Sequence, residues 1–260
     1  MKQSDALMKG CCAVVFCGGR ATRLRSILHG LPKALIPLGT TPYLEGLLTL
    51  FRLSGIKKAV LCISPLTSVI EKIIGNGSRF GLEIHYSTDS GSVENAGALW
   101  QALRLIDTPL MLCINWDTVV DVDFRQLVHA HLRSGAIGNL VGSMRDDQPH
   151  PKAIEVGLDG WVKGVYELEQ DAGKSIKTAS HSLWMANSGV YVFDRRTIHR
   201  FWPPHLRVGK LEQGLLRTLS NKRLLWAFPN GDRYLLDIGT EDRLEQMQSE
   251  VNIIGSFFLR

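Results

Sequence analysis

Four short apolar runs, at residues 12–16, 59–63, 83–86 and 110–114, alternate with stretches of helical spacing, and this alternation limits the fold more than any other feature of the chain. Between the first two runs, Leu44, Leu47, Leu48 and Phe51 recur at helical intervals. Thr41 reads as the N-cap of that helix, Pro42 as its first residue and Gly55 as the residue just past its end. Residues 66–74 and 96–106 repeat the helical pattern. Strand, helix and strand in succession predict βαβ units, hence an α/β fold: a Rossmann-like, mostly parallel mixed sheet with helices on both faces. The second half is less regular. It has turns at Asp159-Gly160, Pro203-Pro204 and Asn230-Gly231, a strand at 189–193 and a last helix starting near Thr240, and it reads as a substrate lid built onto the sheet.

With 260 residues, 45% of them hydrophobic, the chain can bury one large core, and a single domain over 1–260 is expected. Its net charge of +5 is spread along the chain without a run of five like charges, which gives no sign of a nucleic-acid tail. Lys2 and Lys9 precede an apolar stretch too short for the core of a secretory signal, and no apolar run nears the roughly 20 residues that span a bilayer. A cytoplasmic protein that engages neither membrane nor nucleic acid is expected. Cys11, Cys12, Cys17, Cys62 and Cys113 are odd in number and lack metal-site spacing, so buried reduced thiols are expected. The eight histidines form no cluster and read as structural or solvated.

The first strand runs into Gly18-Gly19-Arg20-Ala21-Thr22-Arg23-Leu24-Arg25. Glycines at the carboxyl end of a strand let backbone amides approach anionic oxygens, and arginines offset the charge of a phosphate group. The spacing is neither a Walker A motif nor GxGxxG. Leu31-Pro32-Lys33-Ala34-Leu35 follows, a rigid segment able to aim one lysine at the loop.

Together, GGRATRLRSILHGLPKALIPL resembles the signature of the sugar-1-phosphate nucleotidyltransferases, roughly GGxGTRLx...PKxLxP. The resemblance runs from about residue 12 to 248 and is nearest in pattern to the heptose- and hexose-1-phosphate guanylyltransferases. It implies a GT-A-like nucleotidyltransferase fold, with a nucleotide-binding half at about 11–145 and a sugar-binding half plus C-terminal helix at about 146–260. Asn115-Trp116-Asp117-Thr118 matches the family's NGDT, and Asp237-Ile238-Gly239-Thr240 its DIGT, which carries magnesium binding over to Asp117 and Asp237. Two carboxylates suit Mg²⁺, a hard cation completed by phosphates and water. The resemblance further assigns Arg23 to the triphosphate and Lys33 to the attacking sugar phosphate. Gly18, Gly19 and Thr22 would cradle the nucleotide, with Glu94 and Asn95 in the stretch that lies against base and ribose. Asn187, Glu155 and Glu167 fall in the sugar-binding segments. The implied substrates are a nucleoside triphosphate and a sugar 1-phosphate, and related enzymes form dimers or tetramers.

Several positions depart from the family. Ala21 replaces a loop glycine, and Trp116 stands where the family has glycine, placed either to stack on a base or sugar or to obstruct the site. Glu94 offers a carboxylate suited to the paired N–H donors of guanine, which favours GTP, or else caps the following helix. The family's lysine after the glutamate of its Glu-Lys-Pro segment is absent near Glu167, leaving Lys152 or Lys163 to supply that charge. Two other readings stay open at this stage. One is a non-catalytic nucleotide-binding regulator. The other is a glycosyltransferase in which Asp121-Val122-Asp123 is a DxD metal motif, although Asp123 also reads as the N-cap of a helix.

Overall fold

The computed structural model describes residues 2–19, 24, 31–89, 93–144, 152–167, 182–202 and 208–258. A first helix, α1 (Lys2–Lys9), packs Leu7 and Met8 onto the core ahead of β1 (Cys11–Phe16); the sequence reading did not anticipate it. Every residue of β1 is buried, and its side chains divide by parity. Cys11, Ala13 and Val15 enter one core, while Cys12, Val14 and Phe16 enter the other. A strand with two apolar faces needs a helical layer on each, and the chain supplies both.

The short strands β2 (Pro37–Leu38) and β3 (Thr41–Pro42) pair antiparallel and lead into α2 (Tyr43–Ser54). Thr41 is therefore not the N-cap: Pro42 takes that position and the helix begins at Tyr43. Gly55 ends α2 as expected, in the left-handed conformation at φ 98°, where a Cβ would be strained. Leu44, Leu47, Leu48 and Phe51 lay α2 on the first core, each such burial contributing roughly 1.5–3 kcal/mol. Next come β4 (Lys58–Ile63), α3 (Val69–Ile74), β5 (Glu83–Thr88), α4 (Asn95–Ala102) and β6 (Leu110–Asn115), with α4 burying Ala96, Leu99 and Ala102 in the second core.

β1 lies between β4 and β6, parallel to both, and β5 extends the sheet beyond β4. The chain thus moves outward through β4 and β5, then returns to the other side of β1. Where strand order reverses, the strand ends splay and leave a crevice, here between β1 and β6.

After β7 (Thr118–Val120), α5 (Phe124–Ser134) and β8 (Gly138–Ser143), the hairpin β9 (Lys152–Gly157) and β10 (Val162–Glu167) precedes the long β11 (Ser182–Asp194) and short α6 (Arg195–Ile198). A π-helical turn, Glu212–Leu216, runs into α7 (Arg217–Asn221), followed by β12 (Leu225–Pro229), β13 (Leu235–Asp237), α8 (Glu241–Ser249) and α9 (Val251–Phe257). The second half is not a separate lid. β8 through β12 join the first-half strands in one nine-stranded sheet, with β11 antiparallel to β6, β8 and β9. The predicted strand at 189–193 is the end of β11, Asp159-Gly160 turns the β9–β10 hairpin, and Glu241 and Asp242 open α8. Pro203-Pro204 lies outside the described residues.

A third core joins Ile36, Leu38 and Tyr43 to Val119, Leu236 and Ile238 and to Leu244, Met247, Ile254 and Phe257. It clamps a two-stranded antiparallel ribbon, β7 with β13, in which Asp237 is the partner of Thr118. All five cysteines are buried and free. No described helix is long and apolar enough to cross a membrane.

Asp123 caps α5. Its Oδ1 accepts the backbone N–H groups of Arg125 and Gln126, at 2.9 and 3.0 Å, and its Oδ2 accepts from Gln126 Nε2. The carboxylate is occupied by its own helix, contrary to the DxD reading. Asp123→Ala should cost about 1 kcal/mol of stability in urea denaturation while leaving turnover unchanged; a metal-binding Asp123 would instead make the variant inactive.

Candidate active site

A cavity of about 750 Å³ opens at the β1–β6 crevice, and Phe16, Gly18, Gly19, Asn115, Trp116 and Asp117 in its wall come from the ends of those two strands. Ligands bind outside the carboxyl ends of parallel strands because splayed backbone and helix N-termini present unpaired polar groups there. α4 contributes Glu94 and Asn95 at its N-terminus, the β9–β10 hairpin contributes Lys152 and Glu167, and the segment entering the π-helical turn contributes Lys210 and Glu212.

Asp117 and Asp237, far apart in sequence, meet through the β7–β13 ribbon, where Ile238 N donates to Asp117 O at 2.7 Å. Both are half-buried. Burial and then the adjacent Asp117 carboxylate hold Asp237 above the ordinary carboxylate range, and Lys152, Lys33 and Arg243 offset this only in part. Two such oxygen donors fit a hard divalent cation that keeps several non-protein ligands. Among the described residues no group of three or more His, Cys, Asp or Glu side chains is placed to hold a metal.

The cations are held by carboxylates. Burial pulls the Lys152 ammonium down, but Glu212, Asp117, Asp237 and Glu167 outweigh it and raise the group above the usual lysine value, so it is charged. Lys210 Nζ lies 3.3 Å from both oxygens of the buried Glu167, which also accepts from Gln213 Nε2 at 2.8 Å. The Lys33 ammonium sits 5.2 Å from the centre of the Trp116 ring. Glu212, 2% exposed, accepts from Tyr191 Oη and Asn95 Nδ2, while Asn95 Oδ1 accepts from Leu211 N at 2.8 Å.

Of the residues singled out from sequence, Gly18, Gly19, Glu94, Asn95, Glu167 and Asp117 line the cavity. Arg23 and Thr22 lie outside the described residues. Lys33 and Asp237 are not in the wall but act on it, through Trp116 and Asp117. Asn187 is buried behind it. Its Oδ1 accepts from Gly189 N, as a turn asparagine does, and its Nδ2 donates to Tyr191 Oη at 3.1 Å. Glu155 lies off the wall as well. Strand parity turns it away from Lys152, Ile154 and Val156, and Tyr166 Oη and Ser182 Oγ donate to it. Lys163 is exposed and donates to Ser182 Oγ. Glu94 occupies the N-cap position of α4 but makes no capping bond with its side chain.

Asp89, Lys210 and Glu212 are wall residues that the sequence reading missed. Asp89 had a detectable signal, since it directly follows a parallel strand. Nothing local marks Lys210 or Glu212.

The family model described as "Nucleotidyl transferase" matches residues 12–252. A UTP–glucose-1-phosphate uridylyltransferase of Synechocystis is 32% identical over 200 residues, covering 72% of this chain and 50% of that relative. A D-glycero-alpha-D-manno-heptose 1-phosphate guanylyltransferase of Aneurinibacillus thermoaerophilus is 30% identical over 240 residues, 92% of this chain and 97% of that protein. The chain thus spans half the length of the first relative and nearly all of the second. The structure of HddC from Yersinia pseudotuberculosis superposes with a TM-score of 0.72 at 20% identity, covering 92% of this chain and 98% of that one, which shows a shared fold.

Because the charged form of Asp237 is disfavoured where it stands, Asp237→Asn should raise the melting temperature at neutral pH without divalent cations, by roughly 2–4 °C for about 1 kcal/mol. Added Mg²⁺ should raise the melting temperature of the wild type but not that of the variant, as scanning fluorimetry would register.

Proposed function

The chain belongs to the nucleotidyl transferase family, and from that premise we propose that it transfers a nucleoside monophosphate from a nucleoside triphosphate to a hexose or heptose 1-phosphate, releasing pyrophosphate. The observation that carries this reading is that Asp117, paired with Asp237 behind it, lines one crevice together with Gly18, Gly19, Lys152 and Lys210. The guanylyltransferase name of the relative matched over nearly its whole length favours GTP, as do the carboxylates of Glu94 and Asp89 in the wall beside α4 and Gly18. Either carboxylate can accept the parallel N–H donors of guanine, whereas thymine and uracil offer one such donor. A cytoplasmic site of action is in keeping with five buried free thiols.

The sugar phosphate already carries an anionic oxygen, so attack on the α-phosphorus needs no strong general base; alignment and charge neutralisation do most of the catalysis. Lys152, charged and facing the cavity, holds the sugar phosphate in place of the lysine missing after Glu167, and Lys33 steadies the reacting phosphates from beside Trp116. Arg23 is assigned to the triphosphate by its motif. Asp117 and Asp237 would hold Mg²⁺, which when bound supplies positive charge to the phosphates. Glu167 and Glu212, fixed by their own donors, present acceptors toward sugar hydroxyls.

The test is pyrophosphate release with Mg²⁺ from each of GTP, ATP, CTP, UTP and dTTP against a panel of hexose and heptose 1-phosphates. Release is expected only with a matched pair, strongest with GTP, and Asp117→Asn should abolish it while leaving the fold intact. Nucleotide binding without release across the panel would replace this reading with a regulatory one.

Lys152→Met should raise KM for the sugar phosphate by roughly 10- to 100-fold, the weight of a hydrogen bond to a charged group, with KM for the nucleotide little changed. Lys163→Met should alter neither, and equal effects of the two substitutions would refute the assignment.

A further inference from the structure

Trp116 is only 5% exposed, yet it forms part of the cavity wall at the end of β6. A buried indole ordinarily finds an acceptor for its N–H. Among the described residues that of Trp116 has none, and the Lys33 ammonium sits 5.2 Å from the centre of its ring. The Nε1 edge points toward the glycine loop and stands 3.7 Å from where a Cβ on Gly19 would lie.

Three features around this N–H select the charge of what it meets. The Lys33 cation lies over the ring, Gly19 of the glycine loop lies at the Nε1 edge, and the Asp117 carboxylate next in sequence belongs to a pair suited to a divalent cation. An N–H donor flanked by a lysine, a glycine loop whose amides are free to approach a ligand and a cation-binding pair calls for an anionic oxygen. With the ammonium on its ring, the indole offers its edge to the loop, and an edge donates a hydrogen bond where a face would stack a base.

We propose that Trp116 is a substrate-binding residue whose indole N–H donates a hydrogen bond to a triphosphate oxygen of the nucleotide. The inference rests on the reading of this cavity as a nucleotide site and adds a contact that a glycine at this position could not make. Trp116 therefore completes the phosphate site and does not obstruct it.

Trp116→Phe removes the N–H and keeps an aromatic ring beneath Lys33. Calorimetric titration with GTP, guanosine and inorganic tripolyphosphate, in the presence of Mg²⁺, reads the consequence. Affinity for GTP and tripolyphosphate should fall roughly tenfold or more, with guanosine binding unchanged. Equal affinity of variant and wild type for GTP would overturn the proposal, as would an equal loss for guanosine, which puts the N–H on the nucleoside. A measurement on the unaltered side chain covers the case of a poorly folded variant. The chain has six tryptophans, so ¹⁵N-indole spectra of the wild type are simple. The resonance that single substitution assigns to Trp116, by phenylalanine or histidine, should move downfield with tripolyphosphate, and an unmoved resonance would overturn the proposal. Turnover by both proteins at equal GTP affinity would sink this inference alone; a selective loss of affinity in a protein that releases no pyrophosphate would sink the transferase reading alone.

Discussion

Two carboxylates from distant parts of the chain stand side by side in a half-buried place, and much of the molecule is arranged around keeping them there. Asp117 ends the turn after β6 and Asp237 ends β13; the ribbon between β7 and β13 fixes their register, and Ile238 N bonds back to Asp117 O. Left alone, the pair would separate or take up a proton. The third core prevents the first, since Val119, Leu236 and Ile238 are locked against Tyr43 and the two C-terminal helices. Lys33 and Lys152 moderate the repulsion without removing it, because Asp237 is still held above its ordinary range. The C-terminal helices therefore serve the site although they supply no wall residue.

A largely buried polar chain organises the part of the wall that α4 and the π-helical turn supply. Asn187 donates to Tyr191 Oη, Tyr191 Oη donates to Glu212, and Asn95 bridges Glu212 and the backbone of Leu211. Strand β11, helix α4 and the π-helical turn are tied by these bonds. Tyr191, Asn187 and Glu212 are buried and take hydrogen bonds from one another, so the network holds as a unit. Gly189 belongs to the same construction: it adopts φ 69° where β11 shifts register against β8, and a Cβ there would meet Asn115 Nδ2 at 2.9 Å. The bulge brings the Asn187 side chain round to Tyr191 while leaving room for the end of β6.

The first half of the fold was legible in the sequence because its signals are local. Buried parallel strands appear as short apolar runs, their helices as apolar spacing closed by Gly55, and cavity residues follow strand ends, as Gly18, Gly19 and Asp117 do. The reading failed where tertiary context overrode local signs. Thr41 has the chemistry of an N-cap, yet pairing of β2 with β3 takes it into a strand. The second half read as a lid because antiparallel strands joined by turns look alike whether or not they belong to the main sheet. Glu155 and Lys163 sit in a hairpin, where one step along the chain reverses the face, and motif alignment alone did not fix which residues point inward. Lys210 and Glu212 reach the cavity from the start of a π-helical turn that carries no compositional mark.

Charge balance gives the cavity its remaining logic. Among the described residues, Asp89, Glu94, Asp117, Glu167 and Glu212 line it against Lys152 and Lys210. A wall of that composition repels a triphosphate and a sugar phosphate unless positive charge arrives with them or from the loop, and the sequence places Arg20, Arg23 and Arg25 directly after Gly19. The carboxylates are also sorted by use. Glu167 and Glu212 are engaged by protein donors, which fixes their carboxylates, whereas the charged form of Asp237 is disfavoured and gains from a nearby cation. On the proposed function, an acidic site that binds anions through a recruited cation discriminates against anions arriving without one, and the proposed Trp116 N–H contact adds a neutral donor where another fixed positive charge would weaken that discrimination.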